Sequence, residues 1–202
     1  MQNQDHISTP FAEKVKGVAG LFGIRTGEEP EYILKESDGN KEVRAYLPYT
    51  VVHIEITGHY EHATETAFLE LADYLFGKNL SKTQMSMTLP VLQEKKGKKW
   101  AMCFVLPSRY TMATAPVPEN LEIKIESRPG EVIASIEYAG INSREKIAEK
   151  KQELVQWLTK ETSFAPESEP RIAQYDPPMS IPFLRRNEIQ IPVRNASFNK
   201  TM

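Results

Sequence analysis

Cysteine is almost absent: Cys103 stands alone in 202 residues. A single thiol excludes an intrachain disulfide and offers no thiolate cluster for zinc or iron–sulfur. Histidine is scarce as well, and His6, His53, His59 and His62 all fall in the first third of the chain. Positive charge is not in excess. The 25 Lys and Arg against 27 Asp and Glu give a formal net charge of -2, which excludes a nucleic-acid partner held by bulk charge. No run approaches the roughly 18 apolar residues of a membrane span, so no transmembrane segment is expected. The start, MQNQDHISTPF, lacks the basic residues and apolar core of a secretory signal, and the expected address is cytoplasmic. The glycine-rich phosphate cradles G-x-G-x-x-G and G-x-x-x-x-G-K, the zinc motif H-E-x-x-H and the nucleophile elbow G-x-S-x-G are all missing.

What is present describes one globular domain, with 40% hydrophobic and 26% charged residues. Residues 1–29 form a lead-in in which Phe11, Val15, Val18 and Phe22 recur at helical spacing, while Gly17, Gly20 and Gly23 weaken the helix. It reads as a surface segment, or as a membrane-surface helix carrying Lys14, Lys16 and Arg25. The folded domain is expected over 30–195, with a tail over 196–202. Two apolar runs around Asp38-Gly39-Asn40 predict a hairpin. TVVHIEITG alternates with strand period two; ATETAFLELADYLFG switches to period 3.6, with Gly77 as its C-terminal cap. Strands are predicted at TQMSMTLPV and KKWAMCFVLP, joined around Gly97, and then at LEIKIES and EVIASIEYAG. Asn142 with Glu145 marks a helix start, and that helix runs to about Lys160 with Ile147, Leu154, Val155 and Leu158 inward.

The halves superpose at an offset of 82 residues: Ile54 on Ile136, Glu55 on Glu137, Gly58 on Gly140, Leu75 on Trp157. Strand, glycine and helix repeat in order, which predicts an internal duplication and an α+β fold. Two such units give a curved, barrel-like antiparallel sheet with a helix on each half and a pseudo-twofold seam able to hold a small ligand.

Several residues invite a chemical reading. His59 and His62 are spaced to meet near a helix start, either as metal ligands or as solvated residues. His53 is a haem ligand, a general base or a polar-face histidine. Cys103, beside Phe104, behaves as a small hydrophobe. Met85 and Met87 share one strand face and Met179 sits in a proline-rich segment; methionine lines pockets, ligates haem iron or fills core. Glu55 and Glu137, as repeat mates, converge in the cleft to hold a cation or do acid–base work, or else face solvent. In YDPPMSIPFLRRNEI the prolines predict a stiff strap, with Tyr175 over the cleft and Arg185 and Arg186 paired with Glu42 or Glu188, or with a ligand's carboxylate.

Glu42-Val-Arg44-x-Tyr46, Gly77-x-Asn79, Met85-x-Met87-Thr88-x-Pro90-Val91, Phe104-x-Leu106-Pro107, Tyr175-Asp176-Pro177-Pro178 and Arg185-Arg186-Asn187-Glu188-Ile189 together resemble the SOUL haem-binding protein family over Glu31 to Val193. The resemblance implies a distorted antiparallel β-barrel with two flanking helices. It also implies non-catalytic binding of haem or a related tetrapyrrole in an apolar groove of the first helix, with Phe68, Leu71, Ala72 and Leu75 as contacts. Met85, Met87 and Tyr175 join them as cleft-lining residues. Where some members place a histidine after the motif arginine, this chain has Ala45; where others carry basic residues on the first helix, it has Glu65 and Asp73. The barrel is also similar to bacterial drug-sensing effector domains, which implies the alternative of a sensor or scavenger of flat cationic amphiphiles. A second alternative is an enzyme that uses Glu55 and Glu137.

Overall fold

The computed structural model describes residues 27–57, 60–97, 99–177 and 180–196, without the side chains of residues 60–62. The lead-in helix and the readings placed on His6, His59, His62 and Met179 lie outside the described residues. Strands β1 (Tyr32–Asp38), β2 (Lys41–Tyr46) and β3 (Tyr49–Ile56) precede helix α1 (Tyr60–Leu75). Strands β4 (Val91–Lys96), β5 (Lys99–Val105), β6 (Lys124–Arg128) and β7 (Val132–Tyr138) lead to helix α2 (Arg144–Glu161). Strands β8 (Phe164–Pro166), β9 (Arg171–Gln174) and β10 (Asn187–Asn195) follow. The sheet is antiparallel in the order β1-β2-β7-β10-β9-β4-β5-β3-β6, with β8 added to β10.

The 82-residue offset is written into the strand register. Val52 faces Ile125 across β3 and β6, and Ala134 faces Val43 across β7 and β2; each member of one pair is a repeat mate of a member of the other. The repeats thus exchange their first strands: β2 pairs into the second half and β6 into the first. The halves join where β4 meets β9. Both helices cover the same face. Helix α1 packs Ala67, Leu71, Ala72, Tyr74 and Leu75 on Val52, Ile54, Met102 and Phe104. Helix α2 packs Leu154, Trp157 and Leu158 on Ala134, Ile136, Ile189 and Ile191.

Among the described residues no helix covers the other face, and curling of the sheet closes it. Five antiparallel steps separate β3 from β7, about 24 Å on a flat sheet. Yet Tyr49 Oη donates to Glu131 Oε1 at 2.5 Å, and Glu131 also takes Arg171 Nη2 at 2.8 Å. Tyr49 and Glu131 are themselves repeat mates, so they meet on the pseudo-dyad of a curled half-barrel.

One buried charge organises this inner face. Glu188 is fully buried on β10. Its carboxylate accepts from Arg44 Nη1 at 3.0 and 3.1 Å, Arg186 Nη2 at 2.8 Å, Tyr175 Oη at 3.0 Å and Gln190 Nε2 at 2.8 Å. Burial pushes its pKa up, but the two arginines and these hydrogen bonds outweigh burial and hold it below the usual value. Arg44 also reaches Glu42 and Tyr46. The expected pairing of Arg186 with Glu188 is present, while Arg185 Nε donates to the Ser180 carbonyl at 3.0 Å.

Two expectations need correction. The strand expected over Thr83–Val91 is absent up to Pro90; β4 begins only at Val91. Pro90 has no N–H to give a ladder, and Asn79 holds the preceding loop instead, donating to the Tyr74 and Thr83 carbonyls and accepting from the Thr83 N–H. The cap of α2 is Ser143, whose Oγ accepts from Lys146 N at 3.2 Å. Asn142 is drawn away, bonding Tyr138 and Asn187.

Gly77 ends α1 in a Schellman motif: Lys78 N–H bonds the Asp73 carbonyl and Gly77 N–H the Tyr74 carbonyl, with φ at +108°. Replacing Gly77 by Ala should cost about 1–2 kcal/mol, the price of the left-handed conformation for a residue with a Cβ. Urea denaturation would measure it, and an unchanged midpoint would show that the cap is relaxed. The Glu188 carboxylate gives a second test. Because its folded pKa lies below the unfolded value, the stability it confers is present above about pH 4.5 and is lost as pH falls through the folded pKa. Glu188→Gln should therefore lower the melting temperature at pH 7 and flatten its acid limb between pH 5 and pH 3. Parallel acid limbs in the two proteins would contradict this.

Candidate ligand groove

A groove of about 550 Å³ opens at one end of the half-barrel. One wall is the strap of Glu28, Glu29, Pro30 and Glu31 that leads into β1; the Leu47-Pro48 turn and Tyr49 and Thr50 of β3 continue it. Thr88, Val105 and Leu106 form the floor, and the loop of Ser108, Tyr110, Thr111, Met112 and Ala113 forms the far wall. Prolines set these edges, since Pro30, Pro48 and Pro107 cannot extend a ladder. The strap is pinned by Leu89 N–H to the Glu28 carbonyl at 2.8 Å and by Leu47 N–H to the Glu31 carbonyl at 2.9 Å. The floor is apolar because the Thr88 hydroxyl is spent inward on the Val105 carbonyl. Met112 stands 60% exposed at the rim, and the guanidinium of the neighbouring Arg109 lies 5.0 Å from the Tyr110 ring.

Among the described residues the lining holds three glutamates and no lysine, arginine or histidine. Two of the three are already engaged. Glu28 Oε1 accepts from Ser108 N–H at 2.7 Å. Both oxygens of Glu29 lie on Arg186 Nη1, at 3.1 and 3.4 Å. Burial raises the Glu29 pKa, the Arg186 charge opposes this, and the nearby Glu188 charge adds to it. Burial also pushes the Tyr49 phenol up, against the lowering effect of Arg171. Tyr32, Tyr46 and Tyr49 stand in a tilted row beside the groove, with centroids 5.3 and 6.2 Å apart.

The furrow expected beside α1 is filled by the protein itself. Leu71, Ala72, Leu75 and Met85 are buried in the core between α1 and the sheet, each exposed by 3% or less. Phe68 and Met87 are half-buried at its margin, and Phe68 meets the Phe104 ring edge-on at 5.3 Å. The apolar stripe of α1 therefore faces β3 and β5, not open space. Tyr175 is buried elsewhere, against Glu188 and under the Arg186 guanidinium. Of these residues only Met87, through its neighbour Thr88, adjoins the groove.

Glu55 and Glu137 are not brought together. Their strands run in opposite senses from the Tyr49–Glu131 contact, so each carboxylate lies six residues, about 20 Å, away along its own strand. Glu55 bridges Lys99 and Lys96, and the Lys99 hydrogen bond holds its pKa low; Glu137 lies 3.0 Å from Arg186 Nε. His53 is buried opposite Cys103, its Nε2 3.4 Å from Glu126, and burial lowers its pKa. Burial pushes the Cys103 thiol up to about 12, as for an inert core cysteine. Among the described residues no group of three or more His, Cys, Asp or Glu is placed to hold a metal ion. On the helix side, Asp73 is tied to Lys78 and Glu65 is exposed.

Glu29, Tyr110 and Met112 escaped the sequence reading. They sit in GEEPEY and SRYTMATAPVPEN, whose composition says only that they are loops. No periodic signal marks a residue that meets its partner across the barrel mouth.

Comparison with known proteins agrees with this architecture. Residues 27–192 match the family model of the SOUL heme-binding protein. Heme-binding protein 1 of Xenopus tropicalis is 30% identical over 179 residues, covering 84% of this chain and 93% of that protein. Among solved structures, the C-terminal domain of EcmrR superposes with a TM-score of 0.58 at 12% identity, covering 81% of this chain and 98% of that one. A hydrolase from Listeria innocua gives 0.54 at 12% identity, covering 79% and 94%. At such identities these two report a shared fold and nothing more. The family match over residues 27–192, together with the curated relative, carries the assignment: this chain belongs to the SOUL haem-binding protein family.

Proposed function

We propose that the chain binds haem or a related tetrapyrrole, without catalysis, in the groove between the Glu28–Glu31 strap and the Ser108–Ala113 loop. The observation that carries this reading is an apolar-floored groove of about 550 Å³ on a barrel of this family. That volume lies inside the usual range of roughly 300–1,000 Å³ for small-molecule sites. The residues fit the group. The exposed Leu47 and Pro48 offer apolar surface to a macrocycle, above a floor closed by the buried Val105 and Leu106. Met112 and Tyr110 carry side-chain types that ligate haem iron, and Arg109 beside them offers a cation to a propionate. When bound, the macrocycle supplies a redox-capable iron held by its own four nitrogens. Phe68, Leu71, Ala72, Leu75 and Met85 then support the wall from behind rather than touch the ligand.

A second reading has one specific observation in its favour. The glutamates, with no base among the described lining residues, suit a flat cationic amphiphile. The engagement of Glu28 and Glu29 by donors weakens that field, and the exposed Glu31 is left to supply most of it.

A haemin titration followed at the Soret band should saturate at one equivalent, and Met112→Ala should weaken it by about tenfold or shift the band. Rhodamine 6G, a flat cation, should not displace haemin. Non-saturable haemin binding together with saturable dye binding would reverse the choice.

A further inference from the structure

Glu29 has two surroundings at once. On one side it lines the groove. On the other its carboxylate sits on Arg186. We propose that Glu29 is a built-in stand-in for a ligand's carboxylate, and that an acid group on an incoming flat ligand takes its place on Arg186. The inference rests on the tetrapyrrole reading and narrows it to ligands bearing a carboxylate.

Arg186 is built to stay when Glu29 leaves. Its Nη2 donates to the buried Glu188 at 2.8 Å, its guanidinium lies 3.7 Å from the Tyr175 ring centroid, and its backbone N–H donates to Asp176 Oδ2 at 2.6 Å. Nε lies 3.0 Å from Glu137, close enough for an ion pair though not aligned for a hydrogen bond. A planar fork held on three sides keeps Nη1 aimed at the place Glu29 fills, which is the geometry of a carboxylate receptor.

Glu29, by contrast, is the exchangeable member. Its side chain is 34% exposed, against 17% for Arg186 and none for Glu188. It is partly desolvated beside a second carboxylate, so its charged form is held less favourably than that of Glu188. The strap on either side is anchored through the backbone carbonyls of Glu28 and Glu31, so the Glu29 side chain can rotate out while the wall stays in place. Exchange of one carboxylate for another leaves the local charge unchanged. No buried cation is stranded, and the penalty for an unpaired buried charge is avoided.

Haemin and haemin dimethyl ester, titrated into wild-type protein, Glu29→Gln and Glu31→Gln, separate the outcomes. Glu31 lines the same groove and carries the same charge, but no ion pair ties it to Arg186. The expected result is haemin bound about tenfold more tightly by Glu29→Gln than by Glu31→Gln, with the ester unmoved by either change. Equal effects of the two substitutions on haemin, or an equal gain for the ester, would reduce the result to general charge and overturn the inference, leaving the tetrapyrrole reading intact. Failure of both porphyrins to bind any of the three proteins would remove the reading and the inference together. Thermal melts of the variants serve as the folding check; a Glu29→Gln protein that melts as the wild type does and shows no change in haemin affinity also overturns the inference.

Discussion

The Glu188 carboxylate is the constraint from which the inner face of this barrel follows. Removing a carboxylate from water costs several kcal/mol even after relaxation. The structure offsets this with two guanidinium groups, a phenol and an amide rather than one partner. These donors come from β2, from the segment before β10 and from β10 itself, so the charge ties the first part of the domain to the last. Arg186 carries the chain of contacts outward to the Glu29 side chain, which hangs from the strap that forms one groove wall. Such a network is weak grounds for high stability, because an apolar core of the same shape would do as well or better. Its effect here is positional.

The repeat shows how one backbone came to carry two chemistries. On β2 and β6 the inward positions are repeat mates of opposite charge: Glu42 matches Lys124, and Arg44 matches Glu126. Glu137 faces Glu188 across β7 and β10, while its mate Glu55 faces Ala101 across β3 and β5. One register further, Gln190 corresponds to Cys103. At these positions the second half uses hydrogen-bonded polar groups and the first half the small Ala101 and Cys103, while the first half keeps its charges in a separate cluster of Glu94, Arg128 and Glu126 beside His53. The helix-side positions do not diverge in this way. Ile54 and Ile136 are both buried, as are Leu75 and Trp157. Each helix must be covered by apolar side chains, whereas the inner face carries no helix among the described residues and is free to differ between the halves.

The same distinction decides what the sequence could say. Hairpin, helices and duplication were legible because each leaves a local period: Gly39 at φ +59°, the α1 stripe, the recurrence of strand and helix. A period reports that one face is covered but not by what. The stripe of Phe68, Leu71, Ala72 and Leu75 reads the same whether it meets a ligand or β5. The cap of α2 slipped by one residue because Asn142 and Ser143 are both capping types, and only the Asn187 contact from the far end of the chain draws Asn142 away. The groove was invisible for a related reason. Its residues come from five separate loops and strand segments, and Glu29 acquires meaning only from Arg186, which is distant in sequence.

Energetics favour the strap end over the helix as the place for a guest. To open a furrow beside α1, Leu71, Leu75 and Met85 would have to leave the core, at roughly 1.5–3 kcal/mol each before any cavity is counted. A ligand would have to recover that sum before gaining affinity. At the strap, the floor of Val105 and Leu106 already exists and the wall already stands. The ion pair a carboxylate-bearing guest would break there is Glu29 to Arg186, and the guest would supply a replacement for it. Binding at the strap asks for an exchange of like for like, whereas binding at the helix asks for partial unfolding.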